Sequence, residues 1–586
     1  MVVDESEQAD GRDDRPRDTA RRDFLRRAGI GAAGIAIGGS AGAAMTAAAT
    51  AHPPEFDPLP KRTAPGFDHV VVVMFENRSF DNMLGWLYSA DEKSQDQFNG
   101  LAQGSYSNPG PGGEAVPAYV YDGSTDTVMQ SPQPDPGETY PHVNTQLFGI
   151  VDPQTNEDIR AHGLQPPFNT PPVGVTPDMS GFVKDFAINF QRDKGRAPTA
   201  DEYRVAMGSF SPAMMPVLST LAREFAVYDA WHAAVPSQTF CNRLFFHAST
   251  SHGYVTNHGG DSYYKWIDGP PAPTIFNRLE DAGIPWRIYY DGSQLVSLTG
   301  LLHSPVLRPY WKTHFREMGQ FVEDAKNGDL PAYSFIEPRM VFNHNDMHPP
   351  WGAKVHEDVV DVDGDKIPVY NSALSDVRAG DKLVQDIYDA IRTSKSAKGS
   401  NAMNTALVIT FDEHGGTFDH VSPPTASPPD RSGPGEMGFT FDRLGVRVPT
   451  IVVSAYTAAN TVIHDEMHHG SVINTLCRQH GLAPLTLRDQ SANPIFNSVN
   501  LTEPRQPYTW PQPQALYAGR NPEEDDATAA ATKHKHRPLT APAQGLTGLL
   551  LARYNPGSKA PETYAEAYDA VVRFGKGLFG TYDDPK

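Results

Sequence analysis

The sequence predicts an α/β protein: a three-layer α/β/α sandwich around a mostly parallel sheet, with long loop insertions and a C-terminal appendage. Three observations lead there. Unbroken apolar runs of strand length recur along the chain, helix-patterned segments lie between them, and Pro and Gly are spread through the connecting loops. Apolar runs without alternation suit strands buried on both faces. Strands alternating with helices suit a parallel sheet covered on both sides.

The first run is "VVVVMF", Val70 to Phe75, and it stops on Glu76, Asn77 and Arg78. The helical pattern "PAMMPVLSTLAREF" follows and reaches Phe225. A strand from Ala226 to Ala234 ends at Pro236, and a helix starts near Thr239. "TIFNRLEDAG" reads as a helix closed by Gly283, the usual residue just past a helix end. "WRIYY" (Trp286 to Tyr290), the helix Ala379 to Ser394, "TALVITF" (Thr405 to Phe411) and "PTIVVSA" (Pro449 to Ala455) complete the alternation. Between them, Asn99 to Pro117 reads as loop, and Val359 to Tyr370 as a hairpin turning at Asp363 and Gly364. The Asp361, Asp363, Asp365 alternation is like that of a calcium loop, but its glycine falls at the fourth position rather than the sixth, which favours a simple turn.

Three regions are expected: a signal segment over 1–51, a catalytic domain over 52–500, and a Pro-rich, charged tail over 501–586. That tail ends in the amphipathic helix "ETYAEAYDAVVRF" and reads as a peripheral appendage. In the first region, Arg21 and Arg22 precede Phe24 and Leu25, and an uncharged stretch runs from Ala28 to Ala51. This is the pattern of a twin-arginine export signal. Its Gly and Ala richness favours a cleaved signal over a membrane anchor. The mature protein is therefore expected in the cell envelope or outside the cell, handed over by the twin-arginine export machinery.

The formal net charge of −21 argues against nucleic-acid partners, which need basic patches. It also gives no attraction to anionic lipid surfaces. Cys241 and Cys477 leave both one disulfide and two buried thiols open.

Ligands of an open α/β sheet bind beyond the carboxyl ends of its strands. There the first run delivers Glu76 and Asn77, and "TALVITF" delivers Asp412 and Glu413. Three carboxylates and an amide converging would repel one another unless a cation sat among them. Oxygen ligands suit one divalent ion, Ca²⁺, Mg²⁺ or Mn²⁺, with Zn²⁺ also open. In "VPSQTFCNR" the hydroxyl of Thr239 sits where a helix begins, a place for a cap and equally for an anion. Ser237 competes for either role. His348, in "NDMHPP", and His142, in "TYPHVNTQ", are candidate acids or phosphate contacts, and His469 could cap a helix or reach the site. Arg78 is expected in a structural salt bridge.

"HVVVVMFENRSFDNMLG" resembles the opening signature of the bacterial phospholipase C and acid phosphatase phosphoesterase family, whose fold is alkaline-phosphatase-like. The resemblance continues in order through "HVNTQ", "DMSGFV", "VPSQTFCNRLFFHAST", "NDMHPP", "FDEHGGTFDHVSPP" and "LGVRVPTIVVSAY". It implies that Glu76, Asn77, Asp412 and Glu413 hold the metal. It implies Thr239 as nucleophile, Asn242 and Arg243 as substrate-binding residues, and His348 and His142 as catalytic. Cys241 stands where the family has proline, and His468-His469-Gly470-Ser471 where it has Asp-His-Thr-Ser. The implied activity is phospholipase C-type cleavage of phospholipids through a phospho-threonine, with transient contact at a membrane surface. Phosphomonoester hydrolysis and a non-catalytic binding protein on the same fold are the alternatives.

Overall fold

The computed structural model describes residues 66–92, 97–150, 166, 168–257, 263–268, 271–294, 296–341, 344–349, 358–362, 365–369, 376–516, 539 and 541–574. The expected signal over 1–51 and the turn at 363–364 lie outside them.

Eight strands form the central sheet: β1 (His69–Phe75), β2 (Ala226–Tyr228), β3 (Trp286–Tyr290), β4 (Phe315–Glu317), β5 (Tyr333–Glu337), β6 (Thr405–Phe411), β7 (Thr450–Val453) and β8 (Thr461–Ile463). Their order across the sheet is β8-β2-β7-β6-β1-β5-β3-β4. The helices used below are α1 (Tyr140–Phe148), α2 (Phe182–Lys194), α3 (Pro216–Glu224), α4 (Thr239–Ala248), α5 (Ile275–Asp281), α6 (Met318–Asn327), α7 (Val377–Arg392), α8 (Gly470–His480), α9 (Ala541–Tyr554) and α10 (Tyr564–Phe574).

β1 lies between β5 and β6 and runs parallel to both. Val70 to Phe75 are wholly buried, as a strand with neighbours on both edges and helices on both faces requires. β7 is the exception to the parallel order: it runs antiparallel to β6 and to β2. One set of helices, α3, α6 and α7, packs on the sheet, while α4, α5 and α8 pack together as a second set, giving the three layers. The hairpin expected over 359–370 is present as antiparallel strands Asp358–Val362 and Asp365–Val369. The loop over 99–117 contains a small antiparallel pair, Ser107–Pro109 with Ala115–Pro117.

The stretch from Ala226 to Ala234 is not one strand. Its first part is β2, and Trp231–His232 pairs instead with Met467–His468 in a separate two-stranded sheet. The tail also departs from a peripheral role. Leu546, Leu549 and Leu550 of α9 join the main core, and Gly545 packs so close to Phe240 that a Cβ there would meet the ring at 2.6 Å. α10, the expected terminal helix, packs on α9. Cys241 and Cys477 are both buried free thiols, and burial pushes Cys241 up to about 12.

Candidate active site

β1 and β6 are in register, Phe75 opposite Phe411, so the residues that follow them emerge at one level. The two segments stay stitched together. Asp412 N–H donates to Phe75 O at 3.0 Å and Arg78 N–H to Glu413 O at 3.0 Å. Asn77 N–H and Glu413 N–H both donate to Asp412 Oδ1, at 3.1 and 2.7 Å. Asn77 adopts the left-handed region (φ 54), which Asn tolerates better than most residues. A Cβ on Gly415 (φ 57) would lie 2.5 Å from Asn77 O, so the first glycine of "HGG" lets the two strand ends approach.

All four expected metal ligands are thus buried at one end of the sheet. Thr239 is the first residue of α4, and its backbone position is not the cap; Gln238 is. Its Oγ1 donates to Glu76 Oε2 at 3.1 Å. One turn on, Arg243 Nε donates to Glu76 Oε1 at 2.9 Å and lies 3.4 Å from Asp412 Oδ2. Arg243 Nη1 has no acceptor. Ser237 is turned away, its hydroxyl on Val255 O.

Asn242 departs from the expected substrate contact. Its Oδ1 accepts from Val235 N–H at 3.0 Å and its Nδ2 donates to Val235 O and Ser237 O, at 3.2 and 2.8 Å. Both ends of the amide are spent bracing the loop before α4, which leaves none for a ligand. Arg78 likewise makes no ion pair among the described residues. It donates to Met347 O at 2.7 Å, Ser131 O at 2.5 Å and Asn82 Oδ1 at 3.2 Å, and burial lowers its pKa to about 10.

His348 Nε2 lies 2.9 Å from Asn77 Nδ2 and 3.7 Å from Glu138 Oε2. Burial alone would lower its pKa, but Asp135, Glu138 and Asp346 outweigh it and raise it to about 10. His142 sits one step further out. Its Nδ1 is held by Asp185 Oδ1 at 2.8 Å, and Asp185 Oδ2 accepts from Gln146 Nε2 at 2.9 Å. Gln146 Oε1 then meets His414 Nε2 at 2.7 Å, next to Glu413. His469 stands at the N-cap position of α8 but its side chain makes no capping hydrogen bond; its Nε2 instead reaches Asp412 O at 2.6 Å.

Glu138 went unrecognised in the sequence. Its Oε1 accepts from Gln238 Nε2 at 3.1 Å, and its Oε2 accepts from Asn77 Nδ2. With Asp135 and His348 it offers ligand atoms within 4.8 Å of one another. The available signal was an acidic pair, Asp135 and Glu138, just before a helix that carries a candidate histidine.

The donor set fits a hard cation. Asn77 Oδ1, Asp412 Oδ2 and both Glu413 carboxylate oxygens are buried and accept no hydrogen bond. Burial raises the pKa of Glu413 well above the carboxylate range, and Glu138, Asp412 and Glu76 add to it. Glu76 and Asp412 are raised in the same way, with Arg243 opposing the shift in both. A cation relieves this by matching the charge it sits among.

Buried carboxylates, a hydroxyl at a helix start and a guanidinium, gathered beyond the ends of parallel strands, define an enzyme that handles an anionic ester. The Phosphoesterase family model matches residues 67–362 and 371–483, and the chain belongs to that family. It is a hydrolase acting on phosphoric ester bonds. The chain is similar to non-specific phospholipase C1 of Arabidopsis thaliana, 32% identical over 459 residues that cover 75% of this chain and 72% of the relative. It is also similar to non-specific phospholipase C3 of the same plant, 31% identical over 483 residues (78% and 79% of the two chains). Phospholipase C B of Mycobacterium tuberculosis is 24% identical over 485 residues, 75% of this chain and 79% of that one. Among solved structures, a phosphonate monoester hydrolase of Agrobacterium radiobacter overlaps 49% of this chain and 72% of its own, with a TM-score of 0.27 and 11% identity. A protein of the alkaline phosphatase superfamily from Vibrio parahaemolyticus overlaps 49% and 66%, with a TM-score of 0.29 and 12% identity.

Proposed function

We propose that this protein is an exported, metal-dependent phospholipase C that cleaves phospholipids through a phospho-threonine. The observation that carries the reading is the Thr239 hydroxyl, aimed at Glu76 Oε2 inside a carboxylate cluster whose other acceptors are unmatched. Glu76, Asn77, Asp412 and Glu413 would hold one divalent cation. Bound there, it would supply a positive field for the phosphoryl oxygens and lower the pKa of a nearby hydroxyl.

Thr239 Oγ1 attacks phosphorus as its proton moves toward Glu76 Oε2. The bond from phosphorus to the glycerol oxygen breaks, and His348, held as an imidazolium by Asp135, Glu138 and Asp346, gives that oxygen its proton. Arg243 Nη1, which lacks an acceptor, donates to a phosphoryl oxygen. Water then attacks the phospho-threonine and gives its proton to His348. The bond from phosphorus to Thr239 Oγ1 breaks, and Glu76 returns its proton to that oxygen, releasing the phosphorylated head group with Thr239 restored. Diacylglycerol is the other product. His142, oriented by Asp185, stands behind this constellation and contributes through Gln146 and His414. No single group supplies the roughly 8–23 kcal/mol that enzymes provide; a preorganised donor gives about 3–4 kcal/mol, so several must act together.

The sequence of the relatives' family and the phospholipase C names of the relatives support the lipid substrate. The paired arginines before an uncharged stretch support export. Among the described residues no helix is long and apolar enough to cross a membrane. The test is hydrolysis of a phosphocholine diester and of a chromogenic phosphomonoester, with and without chelator, by the wild type and by Thr239→Ala. Diester cleavage to phosphocholine that both treatments abolish is expected. Cleavage that survives both sinks the mechanism, and cleavage of the monoester alone replaces the lipid substrate with a phosphomonoester.

A further inference from the structure

Six large apolar side chains stand exposed among the described residues, and four of them, Val120, Leu487, Tyr508 and Leu516, are scattered along the chain. The other two, Val173 and Val175, share one loop tip and are 75% and 44% exposed. Single exposed apolar residues are ordinary, but two on one projecting tip are not. The tip is Pro172-Val173-Gly174-Val175-Thr176, five exposed residues in a row without a charge. It is held at both ends by the buried Pro171 and Pro177. Val175 N–H donates back to Pro172 O at 3.4 Å, and Gly174 takes φ 80 with open space around it.

The base of this loop is tied to the site. Asn169 Nδ2 donates to Pro141 O and Ile150 O, at 2.9 and 3.1 Å, bracketing α1. Thr170 Oγ1 donates to Met437 O at 2.8 Å. α1 starts two residues after Glu138, which touches Asn77, Gln238 and His348. Next to Met437, Glu436 accepts from the backbone N–H groups of Val255 and Thr256, and Asn257 Oδ1 caps Phe240 N–H beside Thr239. The tip therefore projects from the segments that frame the nucleophile.

We propose that the tip at 172–176 is a wedge that enters the surface of a zwitterionic lipid layer and sets the active site against it. This rests on the lipid reading above. An uncharged apolar tip suits the boundary between head groups and acyl chains. The net charge of −21 disfavours an anionic surface, so attraction has to come from apolar insertion. Glu436, beside the tip's anchor, is answered by Lys265 at 3.1 Å, and Asp178 directly follows the tip's closing Pro177.

The test uses the full-length mature chain, with Val173→Asp/Val175→Asp and, separately, Val173→Trp. Co-sedimentation with phosphatidylcholine vesicles should fall by about tenfold in the double variant, as expected for replacing two inserted side chains by charges. Hydrolysis of a short-chain phosphocholine diester kept monomeric should stay at the wild-type rate, while hydrolysis of vesicles falls with binding. The Val173→Trp fluorescence should be quenched by brominated acyl chains in those vesicles. Wild-type partition that the double variant leaves unchanged, or a tryptophan that stays unquenched, overturns the wedge and assigns the tip to a protein partner. Partition that exceeds phosphatidylcholine on vesicles rich in anionic lipid overturns it as well. Vesicle binding lost in the double variant, without any phosphocholine diester cleavage by the wild type, upholds the wedge and sinks the substrate reading instead.

Discussion

Two buried acidic clusters join the segment after β1 to the segment after β6, and they differ in what answers their charge. In one, Asp81, Asp419 and His420 bring ligand atoms within 4.8 Å of one another. Arg447 lies between the carboxylates, 3.0 Å from Asp81 and 2.9 Å from Asp419, and fixes itself on Asn99 O and Asp229 O. Asp81 Oδ2 accepts from His420 N–H and meets its Nδ1, at 2.7 and 2.6 Å, and Asp419 Oδ2 accepts from Asp81 N–H at 3.2 Å. Every carboxylate oxygen there has a partner. In the other, Arg243 answers Glu76, while neither Glu413 carboxylate oxygen accepts a hydrogen bond. By composition both read as metal sites. By satisfaction the first is a clamp and the second is a socket, because unmatched buried charge is costly and persists where a ligand will match it.

The largest effect expected from this contrast is on turnover. Thr239→Ala should reduce phosphoester hydrolysis by at least about a thousandfold, the loss typical of a nucleophile, while the thermal midpoint stays within a few degrees. A midpoint that collapses with activity would make Thr239 a structural residue. Arg447→Met should act in the opposite way, costing about 3–5 kcal/mol in urea denaturation because it strands two buried carboxylates. If Arg447→Met is mild, the clamp is not a clamp.

The socket is tested by the cation itself. Adding Ca²⁺, Mg²⁺, Mn²⁺ or Zn²⁺ in turn to chelator-treated protein should stabilise it by about 2.7 kcal/mol at a hundredfold excess over Kd for the ion that fits. Glu413→Gln should abolish that gain, whereas a clamp variant, Asp419→Asn, should keep it. No gain with any ion would remove the socket. The smallest effect lies outside both clusters, at Asp381, which accepts from Val217 and Leu218 N–H at the start of α3. Burial pushes its pKa up to about 7. The folded state therefore binds this proton more tightly than the unfolded state, and stability present below about pH 4 is lost as pH rises through about 7. Asp381→Asn should flatten the denaturation profile over that window, and a profile that keeps its slope would assign the slope to other groups.

Much of the framework was legible because a strand buried on both faces is written as an unbroken apolar run. Val70 to Phe75 and Thr405 to Phe411 gave their own limits, and the polar residues after them gave the site. The direction of β7 was not legible, since "TIVV" pairs equally well either way and its neighbours decide. Asn242 was misassigned because an amide beside a nucleophile looks the same whether it faces ligand or backbone. Glu138, Asp185 and Gln146 lie far along the chain from the strands they serve, and only the docking of α1 and α2 brings them in. The apolar character of α9, "APAQGLTGLLLARY", was readable as a buried helix and would have drawn the tail into the core.

The register of β1 with β6 has a consequence for how the chain holds together. Asn77 and Asp412, hydrogen-bonded across that register, are 335 residues apart in sequence. A cation shared between Asn77 and Glu413 would close one of the longest loops the chain can make, as a covalent cross-link would, and loop closure counts for more as loops lengthen. Neither cysteine forms a disulfide. The metal would then be a staple as well as a reagent, and a chelator would loosen the fold in the same act that silences the enzyme.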